Sequence, residues 1–301
     1  PAVVTTVDDE AIQVRFGRYS ARVEPKGLRV LQSGLTEGFR GIGRTPADQL
    51  VKPGDLIEVK ITALKTTDAD GAVLETPIIK AELEQEPLAE AALVAVENRT
   101  GRILAMVGGY DFDRSKFNRA TQAKRQLGSL FKGVLYAAAI DQGYTAASIV
   151  QDQPVSYDVG PEQDRYEPTN YDHIYEGAIT LRRALEKSRN VPAVWMMNEM
   201  GPDTVVDFAR RLGFSSPIPP FLSVALGSAE ATLQEVTSAY AVFPNRGTYM
   251  TPYQIDRILD REGKALEENR PVPHNAIRPD TAYIMVSLMQ GVVQRGTGVR
   301  A

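Results

Sequence analysis

The sequence predicts an α+β chain: an all-β N-terminal stretch, then a larger region of helices gathered around a few hairpin strands. Three observations predict it. Apolar residues alternate at period two near the start, where Ile12, Val14 and Phe16 face away from Gln13 and Arg15. Past about Glu86 the apolar spacing turns helical, as in Phe131, Val134, Leu135 and Ala138. Turn signals separate the runs throughout. At 301 residues and 43% hydrophobic composition the chain can bury a sizeable core, in one large domain or two smaller ones.

The elements follow in order. Pro53-Gly54-Asp55 is a turn, and Ile57, Val59 and Ile61 alternate after it. Short strands with Gly-rich connections fit a small barrel or sandwich. Ala92 to Val96 and Ile103 to Val107 flank Asn98-Arg99-Thr100-Gly101 and read as a β-hairpin. A helix is predicted from Ser129 to Gln142, with Gly143 as its C-terminal stop. A second is predicted from Ala178 to Lys187, and Pro192 starts the next. Asp203 is placed as the N-cap of a further helix ending near Gly213. Thr232 and Glu235 have capping-box spacing ahead of Val236, Ala239, Tyr240 and Phe243. Tyr253 to Leu259 reads as a strand, Glu262 to Arg270 as a solvated turn, and Asp280 to Met289 as the last helix.

Composition removes several function classes. Net charge is -4 and the basic residues are scattered, so no nucleic-acid partner is expected. With no cysteine there is no disulfide, thiolate metal site or cysteine nucleophile. The two histidines, His173 and His274, supply a triad poorly and read as surface or hydrogen-bonded structural residues. No run has the apolar length of a membrane span. A start at Pro1 without a leader reads as a mature or excised chain, whose parent is expected to carry an anchor upstream.

Two short motifs carry chemistry. Ser129-Leu130-Phe131-Lys132 places a hydroxyl at a helix start, where free N–H groups and the positive dipole end favour a developing oxyanion. Lys132 lies one turn on, and burial would lower its pKa so that the neutral amine accepts the serine proton. Chance alone supplies roughly 0.4 such Ser-x-x-Lys matches in a chain of this composition, and the bland reading is an N-cap serine with a solvated lysine. Ser188-Arg189-Asn190 is the second motif. It falls between two helices, where a hydroxyl can relay a proton and an amide can hold a substrate carbonyl. Its bland reading is a helix-terminating Ser/Asn pair.

Together the two motifs keep the order of penicillin-binding proteins and serine β-lactamases. The flanks make the resemblance closer. Arg125-Gln126-Leu127-Gly128 before Ser129, Glu186-Lys187 before Ser188, and Ala225-Leu226-Gly227-Ser228-Ala229-Glu230 all resemble class A, 1A-type members. So do Met106-Val107-Gly108-Gly109-Tyr110, Phe117-Asn118-Arg119-Ala120 and Arg295-Gly296-Thr297-Gly298. The resemblance implies an OB-like β module over residues 1–85, signalled by Lys52-Pro53-Gly54-Asp55, and a transpeptidase domain over 86–301. It implies a peptidoglycan D,D-transpeptidase. Ser129 would be the nucleophile, Lys132 its base, Ser188 the proton relay, and Asn190 the amide that binds substrate and holds Lys132. The implied ligands are D-Ala-D-Ala stem peptides and β-lactam antibiotics, with other cell-wall synthesis proteins as further partners and no metal or organic cofactor. The implied location is periplasmic, with the parent anchored in the inner membrane and carrying a glycosyltransferase domain upstream.

The sequence departs from the family in places. Leu127 and Gly133 stand where prolines are usual, and Leu130 where a small residue is usual. There is no Lys-Thr-Gly, the family's third element, so the domain's C-terminal strands are expected to be missing. Losing one oxyanion donor typically costs about two to three orders of magnitude in rate. Two alternatives therefore stand beside the main reading. One is a D,D-carboxypeptidase or β-lactamase-like hydrolase, for which Glu162, Glu167 and Asp172 are candidate deacylation bases. The other is a catalytically incomplete docking fragment. Tyr157, Tyr166, Tyr171, Tyr175 and Trp195 are expected mostly in the core, with a groove as the second use.

Overall fold

Period-two alternation near the N-terminus produces strands β1 (Ala2–Val7), β2 (Ile12–Phe16) and β3 (Tyr19–Val23), each burying alternate side chains. With β4 (Leu56–Thr67) and β5 (Val73–Glu84) they close a barrel of order β1-β2-β3-β5-β4. Closure leaves no free sheet edge. The computed structural model describes residues 1–8, 11–23, 51–67, 73–84, 87, 89–158 and 165–300. The predicted boundary at 85/86 and Glu162 lie outside the described residues. The chain divides into two units, Pro1–Ala89 and Glu90–Ala301.

The barrel core includes Val4, Ile12, Val14, Val23 and Leu83. The predicted Pro53-Gly54-Asp55 turn is present: Lys52 N–H donates to Asp55 Oδ2 (2.8 Å), and Gly54 N–H reaches back to the Val4 carbonyl (2.8 Å). One expectation needs correction. Ile57 and Val59 pack against the core, but Ile61 is exposed. Ile61 keeps the register of Val59, with the β4–β5 shift falling only after it, but every β4 side chain from Lys60 to Thr66 is exposed, so the stretch of the strand that packs against the core ends at Val59.

In the second unit, β6 (Leu93–Val96) and β7 (Ile103–Val107) form the predicted hairpin. β8 (Arg125–Gln126) leads into a 3₁₀ turn, Gly128–Leu130, and then helix α1 (Phe131–Asp141). Every residue of α1 from Phe131 to Ile140 is buried, not only the apolar face read from the sequence. A helix that is apolar almost all round belongs inside the fold. It ends as predicted: Gly143, at φ +101°, donates to the Ile140 carbonyl, and Tyr144 N–H donates to that of Ala139. This is the paired hydrogen-bond arrangement of a Schellman stop.

β9 (Ile149–Asp152) pairs with β10 (Gly177–Thr180), and α2 (Leu181–Glu186) follows at once. The helix predicted from Ala178 therefore begins three residues late, because Ala178 to Thr180 are drawn into a ladder with a strand distant in sequence. Next come α3 (Asn190–Met200) and α4 (Pro202–Arg211). Gly201 occupies the N-cap of α4, and Asp203 sits in its first turn rather than capping it. A 3₁₀ turn, Leu222–Leu226, precedes β11 (Glu230–Ala231) and α5 (Leu233–Ala241). β12 (Thr248–Met250), β13 (Arg257–Leu259), β14 (Ala265–Glu268) and β15 (Pro273–Asn275) complete two small ladders. The predicted strand from Tyr253 is thus short, and part of the predicted solvated turn is an exposed strand. α6 (Pro279–Arg295) is longer than predicted at both ends. Among the described residues no helix is long and apolar enough to cross a membrane.

The predicted capping box at α5 is present and extended. Glu235 Oε2 accepts from Thr232 N–H (2.8 Å) and Thr232 Oγ1 (3.0 Å), while Oε1 accepts from Ser215 and Ser216 N–H (2.9 and 2.6 Å). Burial alone raises the carboxyl pKa, but these donors carry it down to about 2. A depressed carboxyl pKa contributes stability above its unfolded value of 4.5 and loses it as pH falls toward 2. Glu235→Gln is therefore expected to cost about 2 kcal/mol at neutral pH. Urea unfolding should show that difference shrinking between pH 4.5 and 2. An unchanged difference across that range counts against the carboxylate's role.

Candidate active site

The Ser129 turn is held from three sides. β8 pairs with β11, Gln126 opposite Glu230 and Arg125 opposite Ala231. Leu127 N–H donates to Ala229 O (3.0 Å), and Gly128 N–H to Gly227 O (2.9 Å). Gly227 is left-handed (φ +74°), and a Cβ there would fall well under 3.0 Å from the Gly128 backbone. Glycine at 227 thus lets two backbones touch directly beside the turn. From the third side Tyr240 Oη donates to the Leu130 carbonyl (2.5 Å). A Cβ on Gly133 would collide with that hydroxyl, which gives the unusual glycine at 133 a steric reason. Ser129 itself is exposed at the surface of the turn.

Lys132 is the buried member of the pair, only 1% exposed. Its Nζ donates to Ser188 O (2.7 Å), Ser188 Oγ (3.1 Å) and Asn190 Oδ1 (2.7 Å). Burial, and then the Arg189 guanidinium, lower its pKa from 10.5 to about 8. Three of the four residues singled out in the sequence thus converge across intervals of 56 and 58 positions. Ser129 is the exception: among the described residues its Oγ has no hydrogen-bond partner, and it lies in the 3₁₀ turn three residues before Lys132.

The Ser188 loop is shorter than predicted, because Asn190 is already the first residue of α3. Ser188 has φ +51°, a strained conformation for a residue with a side chain. A buried polar network supports it, and the sequence reading missed this. Arg189, the N-cap residue of α3, makes no cap hydrogen bond. Its guanidinium instead binds Asp152 Oδ2 (2.9 Å), Asp172 Oδ2 (2.7 Å) and the Ile174 carbonyl. Asp152 and Asn170 are both essentially fully buried. No local pattern around Asp152, Asn170 or Arg189 signals that they meet, since the contacts span up to 37 positions.

Arg295-Gly296-Thr297-Gly298 packs on the end of α2. Arg295 forks onto both Glu186 carboxylate oxygens (2.7 and 3.1 Å), and Thr297 N–H donates to the Glu186 carbonyl (3.1 Å). Of the candidate deacylation bases, Asp172 is committed to Arg189, and the Ile174 N–H and that guanidinium hold its pKa below the usual value. Glu167 is exposed. Tyr157, Tyr166 and Trp195 pack against the core, whereas Tyr171 is 99% exposed. His173 is exposed, and His274 Nε2 lies 3.4 Å from Thr251 Oγ1.

Residues 91–301 match the family model described as the penicillin-binding protein transpeptidase domain. Penicillin-binding protein 1A of Neisseria meningitidis is 43% identical over 220 residues, covering 71% of this chain and 28% of that protein. The chain therefore spans just over a quarter of the length of that relative. The crystal structure of penicillin-binding protein 1A from Haemophilus influenzae superposes with a TM-score of 0.79 at 28% identity, over 99% of this chain and 46% of that one. A penicillin G acyl-enzyme complex of penicillin-binding protein A from M. tuberculosis shares the fold, with a TM-score of 0.60 at 23% identity over 68% of this chain and 57% of that one. With its OB-like barrel followed by helices around hairpin strands, the chain belongs to the class A, 1A-type penicillin-binding proteins.

Proposed function

We propose that the second unit is the acylating part of a peptidoglycan D,D-transpeptidase. The observation that carries this reading is the convergence of the Ser188 and Asn190 oxygens on a buried amine one turn from an exposed serine. The lowered pKa raises the neutral fraction of Lys132 at pH 7 by roughly two to three orders of magnitude over an ordinary lysine.

A neutral amine has two N–H donors and one lone pair, against three partners. Ser188 O and Asn190 Oδ1 are carbonyl oxygens and only accept. On deprotonation the lone pair therefore faces a hydroxyl, that of Ser188 or of Ser129. Ser129 Oγ attacks the carbonyl carbon of the penultimate D-Ala and passes its proton to Lys132 Nζ. The C–N bond to the terminal D-Ala breaks, and the proton travels through Ser188 Oγ to the leaving nitrogen. An amine of a neighbouring stem then attacks the ester and forms the cross-link. Its proton returns through Lys132, and the Ser129 hydroxyl is restored. A β-lactam enters the first half only and stays on Ser129. The reading places the chain on the periplasmic side, in a membrane-anchored parent that works with other cell-wall synthesis proteins.

Incubation with a penicillin followed by intact-mass measurement is expected to give one covalent adduct, absent in Ser129→Ala. An adduct that survives the substitution defeats the reading. So does the absence of any adduct both here and in a longer chain continuing past Ala301.

A further inference from the structure

Helix α3 starts without a cap of its own. Arg189 stands at its N-cap with its side chain committed elsewhere, and a helix start leaves its first N–H groups unpaired. The partner comes from another part of the chain. Asn170 Oδ1 accepts from Asn190 N–H (2.8 Å) and Val191 N–H (3.2 Å). Asn170 Nδ2 donates to Asp152 Oδ1 (2.6 Å) and the Ile174 carbonyl (2.9 Å). An amide has two donors and two acceptor sites, so Asn170 is fully used, at 1% exposure. Its neighbour Thr169 accepts through its carbonyl from Asn190 Nδ2 (2.9 Å). That contact fixes which way the Asn190 amide points, and so turns Oδ1 toward Lys132. One dipeptide thus sets both the start of α3 and the orientation of its first side chain.

We infer that Asn170 is a positioning residue for acylation: it caps α3 from outside the helix and so fixes where Asn190 presents its oxygen to Lys132. The inference rests on the acyl-transfer reading for its chemical consequence, but the cap itself is testable without it. The charged groups around Asn170 are Asp152, then Arg189 and Asp172 beyond it, with Lys132 on the far side of Asn190 and the Tyr136 phenol beside Asp152.

The discriminating variant is N170D. Its new carboxyl faces the buried Asp152 carboxylate, and two such groups in contact do not both ionise. While it holds a proton it still donates to Asp152 and accepts from α3. When the proton leaves, the carboxylates repel and the cap opens. The ratio of N170D to wild-type acylation by penicillin is therefore expected to fall by about tenfold between roughly pH 6 and 9. The exchange D152N/N170D restores donor and acceptor between the two positions with the charge conserved, but turns the bond to Ile174 into a contact between two acceptor oxygens. Its ratio is therefore expected to be flat with pH, at a level about tenfold below wild type. A role in stability alone moves the melting temperature but not this profile.

Amide hydrogen exchange reads the cap directly. In N170A the Asn190 and Val191 N–H groups are expected to exchange faster, with later α3 amides unchanged. If N170A does not fold, N170S, which keeps an accepting oxygen, takes its place with a smaller effect of the same sign. A flat N170D ratio, or unchanged exchange at Asn190 and Val191, overturns the inference. Absence of an adduct on the wild type defeats the acyl-transfer reading instead, and exchange alone then decides the cap.

Discussion

Lys132→Met is expected to slow acylation of Ser129 by about 10²–10⁴-fold, the usual worth of a positioned general base. The melting temperature should stay level or rise. The folded chain binds the Lys132 proton less tightly than the unfolded chain does, about 8 against 10.5. Below pH 8 both states hold the proton, and burying the ammonium costs about 3 kcal/mol. That cost fades as pH rises from 8 to 10.5, because the native amine is then neutral while the unfolded one is not. Methionine removes the charge but leaves Ser188 O, Ser188 Oγ and Asn190 Oδ1 without their donor, an opposing loss of similar size. The same lowered value makes the wild-type acylation rate climb through about pH 8. Second-order labelling rates and thermal melts at pH 7 and 9.5 check both halves. A rate loss under tenfold, or a melting temperature that falls in step with the rate, contradicts the assignment.

Gly227→Ala is expected to destabilise the second unit by about 3 kcal/mol or more. It should also abolish labelling of whatever protein remains folded. Two causes add. The residue is left-handed at φ +74°, and its new Cβ would meet the Gly128 carbonyl and amide. Both obstacles are backbone, so no side chain can swing aside. Relief requires the Gly128–Leu130 turn to move away from the Leu222–Leu226 turn, taking Ser129 with it. Gly143→Ala is a useful control. It is also at positive φ but has nothing within 4 Å of its Cβ, so it should melt lower while labelling normally. Equal labelling by the two variants contradicts the role given to close backbone approach.

What could be read in the sequence was local. The capping box at Thr232 and Glu235, the Gly143 helix stop, the Lys52–Asp55 turn and the β6–β7 hairpin each lie within a few residues. Hydrogen-bonding geometry over such spans is set by residue type. Lys132, Ser188 and Asn190 were legible for another reason: their order and spacing follow a family pattern. What failed was non-local. Ala178-Ile179-Thr180 carries no strong strand signal, and only pairing with Ile149–Asp152 makes it a strand. From sequence Asn190 reads as loop, because the cap that draws it into α3 comes from Asn170, twenty positions upstream. The burial of Lys132 was equally hidden, since a lysine after Phe131 reads as solvated until α1 is seen to run through the core. Ile61 shows the same limit in the barrel: it keeps the register of Val59 yet is exposed, because the stretch of β4 that packs against the core ends before it.

The left-handed backbone at Ser188 has a consequence for how this site can drift over evolution. A residue with a side chain at φ +51° costs the fold on the order of 1–2 kcal/mol that glycine would return. Backbone conformation alone therefore pulls position 188 toward glycine, against the loss of one hydrogen bond to the buried Lys132 amine. That exchange would delete the hydroxyl facing Lys132. The carbonyl that holds the amine would survive it, so a glycine variant would look intact and well folded while lacking the hydroxyl proposed as proton relay. The strain relieved and the hydrogen bond lost are of similar size and opposite sign, so a thermal melt would pass that variant and only a labelling assay would expose it.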